Sequence, residues 1–170
     1  KKVLIDIAIL NSLPKKEIKA GYAEIIKHAL IKDYSFFCWL EENSSKLFKL
    51  NKSILEKAIY ESIMIKLFYV KNDEKELLHN KYSRGMLNFG HTIGHAIESY
   101  YNYNKLNHGE AISIGMIAEA KISNHLGLLS SDELKRIIMH FKKCKLKIFD
   151  NLLRNKKLVK KLTKDKKNFN

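Results

Sequence analysis

The chain has 170 residues, 45% of them apolar, with one proline and seven glycines. That is enough for one domain with a proper core, and its composition reads as mostly helical. No run of about eighteen apolar residues occurs, so a transmembrane helix is excluded and no membrane partner is expected. The formal charge of +14, from 32 basic and 18 acidic residues, invites a nucleic-acid or anionic small-molecule partner. Much of the excess sits in KKCKLKIFDNLLRNKKLVKKLTKDKKNFN. There lysines alternate with an apolar stripe, as on the solvated face of amphipathic helices. No nucleic-acid reading motif accompanies the charge, so no nucleic-acid partner is expected and a phosphorylated substrate fits better. The start, KKVLIDIAIL, is too short and mixed for a signal peptide. Cys38 and Cys144 have neither metal nor redox spacing, which suggests reduced thiols and a cytoplasmic protein.

In chain order, Val3 to Ile7 alternate weakly and predict a short N-terminal strand. Pro14 suits the first turn of a helix, with Asn11 or Ser12 near its cap. That helix continues through KKEIKAGYAEIIKHALIKD, with Ile18, Tyr22, Ile25, Ile26, Ala29 and Leu30 as its buried face. Glu24, Lys27 and His28 share one side of it. Spacing leaves open whether Glu24 and Lys27 are a surface ion pair or a ligand and a substrate contact. Asp33 to Lys49 predicts a second helix with Phe36, Phe37, Trp39 and Leu40 as core. A third spans Ile54 to Asn72, with Lys66 near its end either snorkelling or aimed into a site. Asp73 to Ser83 is charged and irregular, hence a loop. No repeats or internal linkers interrupt the chain, and a single helical domain over residues 1–170 is expected.

The stretch from Leu87 to Met116, LNFGHTIGHAIESYYNYNKLNHGEAISIGM, concentrates the chemistry. His91 and His95 are four apart and leave one face of a helix. His108, beyond a polar and aromatic connection, can return from the next helix. Two imidazoles converging from adjacent helices commonly hold a divalent transition metal. Arg84 and Asn88 are also four apart and continue the same face upstream, with some slippage. HTIGH lacks the glutamate after the first histidine that a zinc-protease helix requires, so that reading fails. Downstream, Gly127 is placed to stop a helix, and Ser131 or Asp132 to cap the next.

Three segments together resemble 3-dehydroquinate synthases. GYAEIIKHALI is similar to that family's G-x-A-E-V-I-K segment. LNFGHTIGHAIE matches its L-N-x-G-H-T-x-G-H-A-I-E, and LNHGEAISIGM its L-x-H-G-E-A-V-x-I-G-M. The resemblance covers nearly the whole chain, to a D-K-K segment at DKKN. It implies the multi-helical C-terminal domain of that fold, without the NAD-binding α/β domain that precedes it in the family. It implies Zn2+ (or Co2+) on Glu24, His91 and His108. Substrate contacts would come from Glu24, Lys27, Lys66, Arg84, Asn88, His95, His108 and Lys166, and a cofactor contact from Ser12. His95 and Glu76 would be the catalytic acid–base residues. The implied reaction takes a seven-carbon keto-acid phosphate through transient oxidation by NAD, phosphate elimination, re-reduction and aldol closure, in a homodimeric enzyme. One departure from the pattern is an apparent insertion of about four residues between Asp73 and Arg84, which bears on Glu76. A related NAD- and metal-dependent sugar-phosphate cyclase is the alternative within enzymes. A basic helical binding module without catalysis is the alternative outside them.

Overall fold

A computed structural model describes residues 3–155 and 158. The expected helical class holds: among the described residues there are six α-helices, three 3-10 segments and no strand. The chain divides into two compact units, Lys1–Leu87 and Asn88–Asn170.

In the first unit the strand expected over Val3 to Ile7 does not form. Residues 3–6 have no regular structure, and Ile7–Ser12 is a 3-10 segment. A lone strand has no partner for its ladder hydrogen bonds. Here the Asp6 carboxylate instead accepts the Ala8 amide at 2.9 Å and starts a helical turn. Val3 and Leu4 are left 80% and 84% exposed.

Helix α1, Lys15–Lys32, begins directly after Pro14, which sits at the N-cap rather than inside the first turn. Asp33 ends α1 and caps α2, Tyr34–Phe48, by accepting the Phe36 amide at 2.9 Å. Asn51 does the same for α3, Lys52–Asn72, through the Ile54 amide at 3.2 Å. The three helices pack pairwise. Tyr22, Ile26, Leu40, Leu47, Leu55 and Tyr69 lie in the core between them. Fully burying an aliphatic side chain of this kind contributes about 1.5–3 kcal/mol. Tyr22 meets Phe48 edge to face at 4.9 Å. His28, placed by spacing beside Glu24 and Lys27, turns inward instead and hydrogen-bonds Ser62 on α3 at 2.7 Å.

The second unit holds α4 (His91–Tyr100), α5 (His108–His125) and α6 (Ser131–Lys143). Helix α5 is its centre. Ala111 to Ile117 are buried without interruption, because α4 and α6 both pack on it. Asn107 and Glu110 form a capping box at its start. Gly127, at φ 74°, follows its end as expected. Ser130, one residue before the expected caps Ser131 and Asp132, closes the capping box of α6 with Glu133.

Three glycines set the α4–α5 approach. A Cβ on Gly94 would lie 2.6 Å from Ile112 Cδ1, and one on Gly115 would overlap the Gly90 carbonyl oxygen. Gly90 itself has φ 80°, a conformation that also costs a side chain dearly. The start of α4 therefore meets the Ala111–Met116 stretch of α5 backbone to backbone.

Candidate functional site

The α4–α5 approach gathers the histidines. Ring centroids lie 5.2 Å apart for His91 and His95, 5.4 Å for His91 and His108, and 5.9 Å for His95 and His108. His91 is half-buried, while His95 and His108 are exposed. His91 Nδ1 faces the Phe89 carbonyl oxygen at 3.2 Å, and His108 Nδ1 faces Glu98 Oε1 at 3.1 Å. With a carbonyl and a carboxylate as partners, each Nδ1 carries the proton and donates it. In that tautomer the lone pair of each ring sits on Nε2, the atom through which such a histidine binds a metal ion. The residues present thus fit a borderline-soft divalent cation on chemical grounds.

Arg84 and Asn88 do not continue the His91–His95 face. Arg84–Asn88 is a separate 3-10 segment, and α4 starts only at His91, after Gly90 has taken the left-handed conformation. Having no side chain, Gly90 cannot cap the helix it precedes. Glu119 of α5 does so from outside, its Oε2 accepting the Gly90 amide at 2.7 Å. The Ile93 amide also donates to this carboxylate. Burial pushes the Glu119 carboxyl above its ordinary value, against the opposing pull of these two amides. Its Oε1 is buried without a hydrogen-bond partner among the described residues.

In the first unit, Glu24 and Lys27 do form a pair, at 2.6 Å, but not a surface one. The Lys27 side chain is only 4% exposed and that of Glu24 33%. Lys66 on α3 is exposed, as is Asn88, and Arg84 is half-buried. Ser12 is exposed in the first 3-10 segment and donates to the Ile9 carbonyl at 2.8 Å. Glu76 lies exposed in the 73–83 loop at φ 56°. Lys166 lies outside the described residues.

Sequence reasoning missed Asp73 as an organiser of that loop. Its Oδ1 accepts the Leu77 amide at 2.8 Å, and its Oδ2 accepts the Arg84 amide at 2.9 Å. Leu78 donates to both oxygens at 3.3 Å. Burial works to raise the Asp73 carboxyl, but the amides of Arg84, Leu77 and Leu78 and the Ser83 hydroxyl together hold it below its ordinary value. A signal for this role was available: an aspartate closing a helix before a polar loop is a ready acceptor for turn amides. Glu119 left a fainter trace, an acid one turn beyond Gly115 on a helix otherwise rich in small and apolar residues.

An all-helical frame of this kind is found in a solved 2-epi-5-epi-valiolone synthase from Streptomyces hygroscopicus subsp. jinggangensis 5008, with NAD+ and Zn2+ bound in that protein. The likeness has a TM-score of 0.84 at 25% identity and covers 95% of this chain and 44% of that one. The fold is thus that of the C-terminal domain of dehydroquinate-synthase-like cyclases. The family model described as 3-dehydroquinate synthase C-terminal matches residues 21–168. Relatives named 3-dehydroquinate synthase include those of Desulforamulus reducens, 44% identical over 135 residues, and Acinetobacter baumannii strain AYE, 46% over 134. The one from Vibrio atlanticus is 45% identical over 148 residues. These matches take in 79%, 79% and 87% of this chain but only 36%, 36% and 40% of the relatives' length. The chain belongs to the 3-dehydroquinate synthase C-terminal family.

Proposed function

We propose that this chain is the metal- and substrate-binding part of a 3-dehydroquinate synthase. That enzyme converts 3-deoxy-D-arabino-heptulosonate 7-phosphate to 3-dehydroquinate and phosphate in aromatic amino acid biosynthesis. The observation that carries the reading is the pair of imidazoles on α4 and α5, each with Nδ1 facing an acceptor, which sets the tautomer a metal-binding histidine needs. His91 and His108 are assigned as ligands on that geometry, and Glu24 as the third on its place in the GYAEIIK motif. Two imidazoles and a carboxylate suit Zn2+, with Co2+ the alternative. A metal so held supplies Lewis-acid polarisation of a substrate oxygen.

The chain's own residues bind and move protons. Arg84 is suited to a bidentate grip on a carboxylate or phosphate, and Lys27, Lys66 and Lys166 to point-charge contacts with either. Asn88 contributes a neutral hydrogen bond. His95, exposed one turn along α4 from His91, takes the proton-transfer role. Glu76 is assigned to acid–base chemistry with it. Ser12 contacts the NAD cofactor, whose remaining contacts lie outside this chain. The working assembly is a cytoplasmic homodimer acting on a phosphorylated keto-acid sugar, without a nucleic-acid or membrane partner. No helix of the described residues is long and apolar enough to cross a membrane.

This chain by itself is expected to be inactive, so the test is phosphate release from the seven-carbon keto-acid phosphate by a protein that joins these residues to an NAD-binding domain, with NAD and zinc, beside Glu24→Ala, His91→Ala and His108→Ala. Release by the parent, with zinc content and turnover lost in the three variants, is the expected result. Full zinc occupancy in all three would overturn the ligand assignment. A parent that binds zinc and NAD yet releases no phosphate would favour a related sugar-phosphate cyclase, the reading supported by the valiolone synthase likeness. Other sugar phosphates would then be screened.

A further inference from the structure

Glu98 ends the LNFGHTIGHAIE motif, and the roles assigned above leave it unused. It lies on α4, three residues after His95. Its side chain is 7% exposed, whereas that of His108, its partner at 3.1 Å, is 48% exposed. A carboxylate buried to this degree requires a donor. The donor it has is the His108 ring, reaching it from the start of α5. A hydrogen bond from Nδ1 fixes both the tautomer and the rotation of an imidazole, and an anionic acceptor makes Nε2 more basic.

We propose that Glu98 is a positioning residue for the metal: it holds His108 from α4 so that Nε2 is presented as a ligand from α5. The inference rests on the reading of His108 as a metal ligand. Gly94 and Gly115 give this contact its precision, because they bring the two backbones together without intervening side chains. Glu98 thus couples the two histidine helices chemically where the glycines couple them sterically. A merely structural ion pair would stabilise the fold without altering the metal. Glu98 as a direct ligand is the other contrary case, since the ligating atoms of His95, Glu98 and His108 lie within 4.8 Å of one another.

The experiment measures zinc affinity by chelator competition, and the visible spectrum of the Co2+ form, in the full chain and in Glu98→Ala and Glu98→Gln. Circular dichroism verifies folding, and Glu98→Gln, which retains an oxygen acceptor, carries the test should Glu98→Ala fail to fold. The expected result is a loss of roughly 10–100-fold in affinity for Glu98→Ala, less for Glu98→Gln, with a shifted Co2+ spectrum. Unchanged affinity would overturn the proposal, as would the selective loss of a second bound ion. A parent chain that binds no zinc at all would instead overturn the functional reading on which the proposal rests.

Discussion

Replacing Gly115 by alanine tests whether backbone contact between α4 and α5 creates the histidine cluster. The added Cβ would fall 2.9 Å from the Gly90 carbonyl carbon and 3.0 Å from the Gly94 amide nitrogen, besides overlapping the Gly90 oxygen. Ordinary contact begins at 3.4 Å, so the carbon alone demands a retreat of 3.4 − 2.9 = 0.5 Å, and the oxygen more. None of these atoms can rotate aside, so the first turn of α4 must move as a whole, carrying His91 with it. Overpacking of this kind costs about 1–3 kcal/mol, and contact with backbone on every side places Gly115→Ala near the upper end. Metal–ligand distances tolerate only about 0.2 Å, so zinc affinity should fall together with stability. Urea unfolding gives the first quantity and chelator competition the second. Gly21→Ala is the control: nothing lies within 4 Å of a Cβ there. Alanine in mid-helix should then stabilise α1 by about 0.5–1 kcal/mol. A Gly115→Ala chain that loses less than about 1 kcal/mol and binds zinc normally would refute the reasoning.

Two further outcomes concern carboxylates. Asp73→Asn should loosen the 73–84 loop, seen as faster hydrogen exchange at the Leu77, Leu78 and Arg84 amides. Because the native Asp73 carboxyl is held below its ordinary value, its contribution is complete above the ordinary carboxylate range. It is lost as pH falls toward the depressed native value, so the exchange difference between parent and variant should vanish in acid. Glu119→Ala removes the external cap of α4 and should cost about 0.5–2 kcal/mol, with Glu119→Gln costing less. The Glu119 carboxyl is instead raised. Its contribution is therefore greatest below the ordinary carboxylate range and declines as pH rises through the native value. A parent-minus-variant stability that grows with pH across that range would contradict this assignment.

The helical class, the 73–83 loop and the stop at Gly127 were legible because they depend on local pattern: apolar periodicity, a polar run, a glycine after a helix. The relation of His91, His95 and His108 was legible because i,i+4 spacing and a short return connection leave little choice. Val3 to Ile7 misled because alternation proposes a strand without supplying a partner for it. Arg84 and Asn88 were misplaced for a subtler reason. Their spacing is helical, but Gly90 breaks the helix before His91 in a left-handed conformation, and it is packed against α5, more than twenty positions downstream. His28 and Glu119 depend on Ser62 and Gly90, remote residues that no local window connects.

The hydrogen bond between Asp73 Oδ2 and the Arg84 amide has a consequence for the length of this loop. It ties the base of the loop, so residues added between the two anchor points project outward like slack beyond a knot and need not displace the arginine. The entropic price of such slack is small, since doubling a loop's length costs only about 0.6 kcal/mol. Lengthening this segment should therefore cost little stability. The same knot offers a place where a reporter peptide can be spliced in between His79 and Asn80, clear of the amides that Asp73 holds and of the turn that Asn80 closes with Ser83.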